Sequence, residues 1–100
     1  MNRTHFSTVI IKNEGVRLDY YLLSSDERDI FGNLCTKYGI EIRQMPLHTF
    51  SLCAYLCCSL PDIGTNKQKI TVFLRKLSES QTDPSCLEDI VDEQIENLSR

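Results

Sequence analysis

Residues 65–98 constrain this chain more than any other stretch, because they hold two helix starts, a break between them and two apolar stripes. Thr65 is a good N-cap, and Gln68 three positions on completes a capping box, so a helix is expected to start near Asn66. Ile70, Phe73, Leu74 and Leu77 recur at i, i+3, i+4, i+7 and share one side, which leaves Lys67, Lys69, Arg75 and Lys76 largely on the rest. Residues 78–82 dissolve the pattern in side chains that compete for backbone hydrogen bonds, and Asp83-Pro84 is a second start, a cap followed by a first-turn proline. Leu87, Ile90, Val91, Ile95 and Leu98 give the second helix its apolar face. Glu88, Asp89, Asp92, Glu93 and Glu96 make the remainder acidic.

The first sixty residues read as strands. Residues 6–11 are rich in β-branched side chains, and Asn13-Glu14-Gly15 supplies a turn with a residue tolerant of positive φ. Residues 16–23 return with Val16, Leu18, Tyr20 and Leu22 on one face and Arg17, Asp19, Tyr21 and Leu23 on the other. Residues 24–33 read as a loop. Two periods compete after it: Ile30, Phe31, Leu34, Cys35 and Tyr38 fit a helical stripe interrupted by Gly32, whereas Leu34, Thr36, Tyr38, Ile40 and Ile42 alternate as a strand does, and the strand is preferred. Met45-Pro46-Leu47-His48 reads as a connection, since Pro46 has no amide for a ladder. In residues 50–60, Phe50, Leu52, Ala54, Leu56, Cys58 and Leu60 oppose Ser51, Cys53, Tyr55, Cys57 and Ser59. A strand without charge on either face is expected inside a sheet rather than at its edge. Residues 61–64 then turn the chain into the first helix.

Strands first and helices after indicate an α+β domain: a four-stranded antiparallel sheet with two C-terminal helices packed on one face. One hundred residues suffice for one core and not for two, so residues 1–100 are expected to form a single domain, strand-rich to 60 and helical from 61. Tyr20-Tyr21-Leu22-Leu23, Tyr38-Gly39-Ile40-Glu41-Ile42, Asp62-Ile63 to Thr65-Asn66-Lys67, Phe73-Leu74-Arg75-Lys76-Leu77 and Asp83-Pro84 through Leu87-Glu88-Asp89-Ile90-Val91 resemble a small bacterial family of uncharacterised domains. The resemblance covers residues 16–95. It implies a small intracellular bacterial protein and transfers no activity. Gly64 stands where that family would lead one to expect a serine.

The residues exclude more chemistry than they suggest. A net charge of -3 makes no case for nucleic acid or an anionic membrane, and five carboxylates on the last helix would repel phosphates from a recognition helix. No segment approaches the ~20 apolar residues that span a bilayer, and the start lacks the marks of a secretory signal. A cytoplasmic protein with reduced thiols is expected, because five cysteines with an adjacent pair do not suit a disulfide framework. Without a Cys-x-x-Cys, no metal is expected; Cys53, Cys57 and His48 are the least unsuitable ligands. Phosphate loop, nucleophile elbow and dinucleotide fingerprint are all absent, and His5 and His48 read as surface imidazoles, so no catalytic residue and no cofactor are expected. What remains is an interaction or regulatory module, as a homodimer or with a protein partner. It would act through the second sheet face (Tyr21, Tyr55) or the acidic helix (Asp92, Glu93, Glu96), with a ligand or metal binder built on the cysteine-rich strand as the alternative.

Overall fold

The computed structural model describes residues 1–48 and 55–98. Four strands, β1 (Asn2–Ile11), β2 (Val16–Arg28), β3 (Leu34–Pro46) and β4 (Leu56–Gly64), precede two helices, α1 (Lys67–Glu79) and α2 (Pro84–Leu98). The strands form one antiparallel meander in the order β1-β2-β3-β4. The expected α+β architecture is the one the chain adopts.

Alternation decides which side chains meet the helices. Leu18 and Tyr20 of β2, Ile40 and Ile42 of β3, and Ile63 of β4 are buried against Ile70, Leu74 and Leu77 of α1 and Leu87, Val91 and Leu98 of α2. The helices are also tied to the sheet by polar contacts. The Tyr20 hydroxyl donates to the Thr82 carbonyl at 2.8 Å in the turn between the helices, and the Ser78 hydroxyl donates to that of Ser7 at 2.8 Å. Burial, with the negative charge of Asp83 adding to it, pushes the Tyr20 phenol far above its usual range, so it is a permanent donor.

Several expectations are corrected in detail. The N-cap of α1 is Asn66, whose side chain accepts from the Lys69 amide at 3.1 Å; it caps at least as well as Thr65, and the helix starts one residue later. The expected loop at 24–33 is mostly strand, because β2 runs to Arg28 and β3 starts at Leu34, leaving only residues 29–33 to turn. Met45 and Pro46 belong to β3, opposite Arg17 and Val16, and the ladder is continued by the Leu47 amide to the Gly15 carbonyl at 2.9 Å. Of the strand expected at 50–60, residues 56–60 lie in β4, and residues 50–54 fall outside the described ones.

β4 is an edge strand, not an interior one. Two features protect it although residues 56–60 carry no charge. α2 packs along it on one face, and residues 61–63, expected as a turn, bulge out of the ladder, since Ile40 pairs with Leu60 but Tyr38 pairs with Gly64. Gly39 stands opposite the bulge, where a Cβ would run into the Leu60 carbonyl oxygen and the Pro61 backbone. The missing side chain is what lets the two strands approach.

Candidate functional site

The face of the sheet away from the helices is built by alternation on β2 and β3 and by a defect in β1. His5 pairs with Tyr21 but Ser7 pairs with Tyr20, so Phe6 is an extra residue that reverses the parity of β1. An odd separation would put His5 and Thr8 on opposite sides of a regular strand; the bulge puts both on the open face. There Arg3, His5 and Thr8 stand beside Arg17, Asp19 and Tyr21, with Glu41 and Arg43 of β3 next in line.

Two buried carboxylates organise these groups. The Glu41 side chain, 3% exposed, accepts from Arg3 Nε at 2.6 Å and from a terminal nitrogen of the same guanidinium at 3.0 Å, and from Arg43 Nε at 2.9 Å. Asp19 accepts from the Thr8 hydroxyl at 2.6 Å and from Arg17 Nε at 3.1 Å. The Tyr21 ring lies between the clamps, 5.8 Å from the Arg3 guanidinium, 5.3 Å from that of Arg43, and edge-on to His5 at 5.5 Å. Cation–π attraction at such distances contributes about 0.5–1 kcal/mol at an exposed site. The carboxylates therefore lie beneath the guanidiniums, and what meets solvent is aromatic and cationic.

His5, Thr8 and Asp19 form a hydrogen-bonded chain across β1 and β2. Asp19 only accepts, so the Thr8 proton is committed to it, and the Thr8 oxygen is left to accept from His5 Nε2 at 2.8 Å.

Of the sites expected from sequence, Tyr21, Tyr55 and Cys57 gather around Arg43, and the others fall in separate places. Tyr21 is central to the open face. Tyr55 is exposed just before β4, and Cys57 is exposed opposite Arg43. His48 is exposed beyond β3, and Cys53 lies outside the described residues. Asp92, Glu93 and Glu96 are exposed on the helical layer, so the sheet stands between them and Tyr21. Among the described residues no group of three His, Cys, Asp or Glu side chains could hold a metal ion. Cys58 turns toward the helices, and burial, with Glu88 and Cys57 nearby, pushes its thiol up, away from the thiolate a metal or an electrophile needs.

Arg3 was not picked out by the sequence and His5 was read there only as a surface imidazole, and Glu41 and Arg43 were not singled out as a site either. The first two precede the β-branched run that marked β1. The others carry a usable signal, a Glu41-x-Arg43 pair that strand alternation must place on one face.

Among the described residues no helix is long and apolar enough to cross a membrane. No curated protein and no solved structure matches the chain. The profile of a family of unknown function, DUF6514, matches residues 2–97, and the chain belongs to that family.

Proposed function

We propose that the protein is an interaction module that binds an acidic segment of a protein partner through the open sheet face. The observation that carries this reading is the Tyr21 ring clamped among Arg3, Arg43 and His5. Tyrosine and arginine dominate the energetics of protein interfaces, and side chains already fixed lose little entropy on binding. Charge selects the partner. Arg3, Arg17 and Arg43 keep 39%, 43% and 30% of their side chains exposed, while Glu41 and Asp19 are hidden at 3% and 8%. Two such faces pressed together would oppose guanidiniums to guanidiniums, so an acidic partner suits the face better than a symmetric copy of it. A bacterial cytoplasm is the compartment in which the free thiols Cys35, Cys57, Cys58 and Cys86 stay reduced.

Fluorescence anisotropy with a labelled peptide of alternating Glu and aromatic residues tests the reading. Binding is expected to weaken about tenfold or more in Tyr21→Ala and in Arg43→Ala, and to weaken with added salt. Equal binding by the variants, or a clear preference for a single-stranded oligonucleotide over the peptide, would sink it.

A further inference from the structure

The β2–β3 ribbon outruns the rest of the sheet. β1 ends its pairing at Ser24 and β4 at Tyr38, so beyond these residues Ser25, Asp26, Glu27 and Arg28 pair only with Lys37, Thr36, Cys35 and Leu34. The turn that closes the arm is held rigidly. Asp29 Oδ1 accepts from the amides of Phe31 at 2.8 Å and Asn33 at 2.9 Å, Gly32 takes φ +80° with its amide on the Asp29 carbonyl at 3.0 Å, and Arg28 donates to the Gly32 carbonyl at 2.8 Å. On this fixed turn Ile30 is 93% exposed, Phe31 81% and Leu34 65%. None of the three belongs to the core. Large apolar side chains held in water on a locked turn contribute nothing to folding, and they have the form of a binding tip.

The same chain carries a matching groove between α1 and the last turn of α2. It has a volume of about 620 Å³, with Val72, Phe73 and Leu98 in its lining, flanked by Lys69 and Lys76. That is the space of about twenty waters, enough to admit Ile30 and Phe31 together. The arm, residues 25–37, carries Asp26, Glu27 and Asp29 against Arg28 and Lys37, whose ammonium lies 3.3 Å from Glu27, and so keeps a net charge of -1, whereas among the described residues the groove is lined by two lysines and no carboxylate. The acidic arm also disfavours an anionic lipid surface as its target.

We propose that the arm tip of one copy seats in the groove of a second copy and the exchange is reciprocal, giving a closed two-fold dimer. The root of the arm and the groove lie at one end of the molecule, because Gly64, which leads into α1, pairs with Tyr38 where the arm departs. A two-fold rotation therefore brings each arm to the other groove, and every contact is made twice.

Sedimentation velocity over a concentration series tests this with three variants. The wild type is expected to dimerise. Ile30→Ser/Phe31→Ser and Val72→Glu each raise the dissociation constant about tenfold or more with unchanged circular dichroism, and mixing these two restores a weaker heterodimer through one intact tip and one intact groove. A wild type that stays monomeric at every concentration, or a tip variant that still dimerises, overturns the proposal. So does a dimer dissolved by Tyr21→Ala instead of by the tip variant. The outcomes are separable from those for the sheet face, since the tip variant keeps acidic-peptide binding and Tyr21→Ala keeps the dimer.

Discussion

Tyr20 and Tyr21 are neighbours with the same side chain and opposite duties, because consecutive residues of a strand face opposite sides of the sheet. Tyr20 is buried and spends its hydroxyl on the Thr82 carbonyl. Tyr20→Phe keeps the ring and orphans that carbonyl, so a loss of about 1–2 kcal/mol is expected in urea unfolding, with acidic-peptide binding by the open face unchanged. Glu41 makes the complementary case. Its carboxylate is the shared anchor of Arg3 and Arg43, and Glu41→Gln removes the charge without removing the volume. Because the two guanidiniums can turn to water, the loss should be about 1–3 kcal/mol rather than that of a fully buried pair, and raising the salt concentration should narrow the gap to wild type.

At the scale of elements, the ends of the two helices carry the instructive differences. Asp83 caps α2, its Oδ1 accepting from the Ser85 hydroxyl at 2.6 Å and from the amides of Ser85 and Cys86 at 3.1 and 3.2 Å. The Ser85 hydroxyl above all, joined by the Cys86 and Ser85 amides and opposed by burial, holds this carboxyl below the usual carboxylate range. A lowered folded-state pKa contributes stability that is complete above the unfolded value and is lost as the pH falls through the folded one. Asp83→Ala should therefore cost about 1 kcal/mol at neutral pH, and the difference from wild type should shrink in acid, below about pH 4; Asp83→Asn, an equal cap without a titrating group, should match wild type at neutral pH and become the more stable of the two in acid. This start was legible because Asp-Pro announces itself locally. The end of α1 was legible as a break at residues 78–82, and the helix stops at Glu79, but the way it closes was not. It closes with the amides of Gln81 and Thr82 on the carbonyls of Ser78 and Leu77, with Gln81 at φ 55°, a position where glycine would have been the signal. Gln81→Gly is expected to stabilise the fold by about 1 kcal/mol, read as a raised thermal midpoint. Half of the arm was hidden for a different reason. Residues 34–37 were legible as the start of the alternating strand that begins at Leu34, but residues 24–28 carry no apolar alternation, so their half of the ribbon was not, and the edge position of β4 depends on packing by α2 that no local pattern encodes.

At the scale of the molecule, the extents of 52 × 23 × 18 Å describe a packed body with a projecting arm. The core cluster draws on β2 at Leu18 and Tyr20 and on β3 at Ile40 and Ile42, with Leu22 and Tyr38 packed against it, and on neither strand beyond these residues toward the turn. A two-stranded ribbon is marginal on its own, so the arm should open without the body opening. Hydrogen exchange makes this measurable. In dilute protein, the amides of Tyr20 and Ile42 should exchange only through global unfolding, while those of residues 25–28 and 34–37 exchange orders of magnitude faster. Ile30→Ser/Phe31→Ser should leave global stability within about 0.5 kcal/mol, because the tip touches no part of the core. If arms are exchanged between copies, raising the protein concentration should slow exchange in the arm first, and the tip variant should abolish that slowing while the body stays as protected as before. An arm that is as protected as the core at every concentration would mean that it folds with the body, and the exposed Ile30 and Phe31 would then need another explanation.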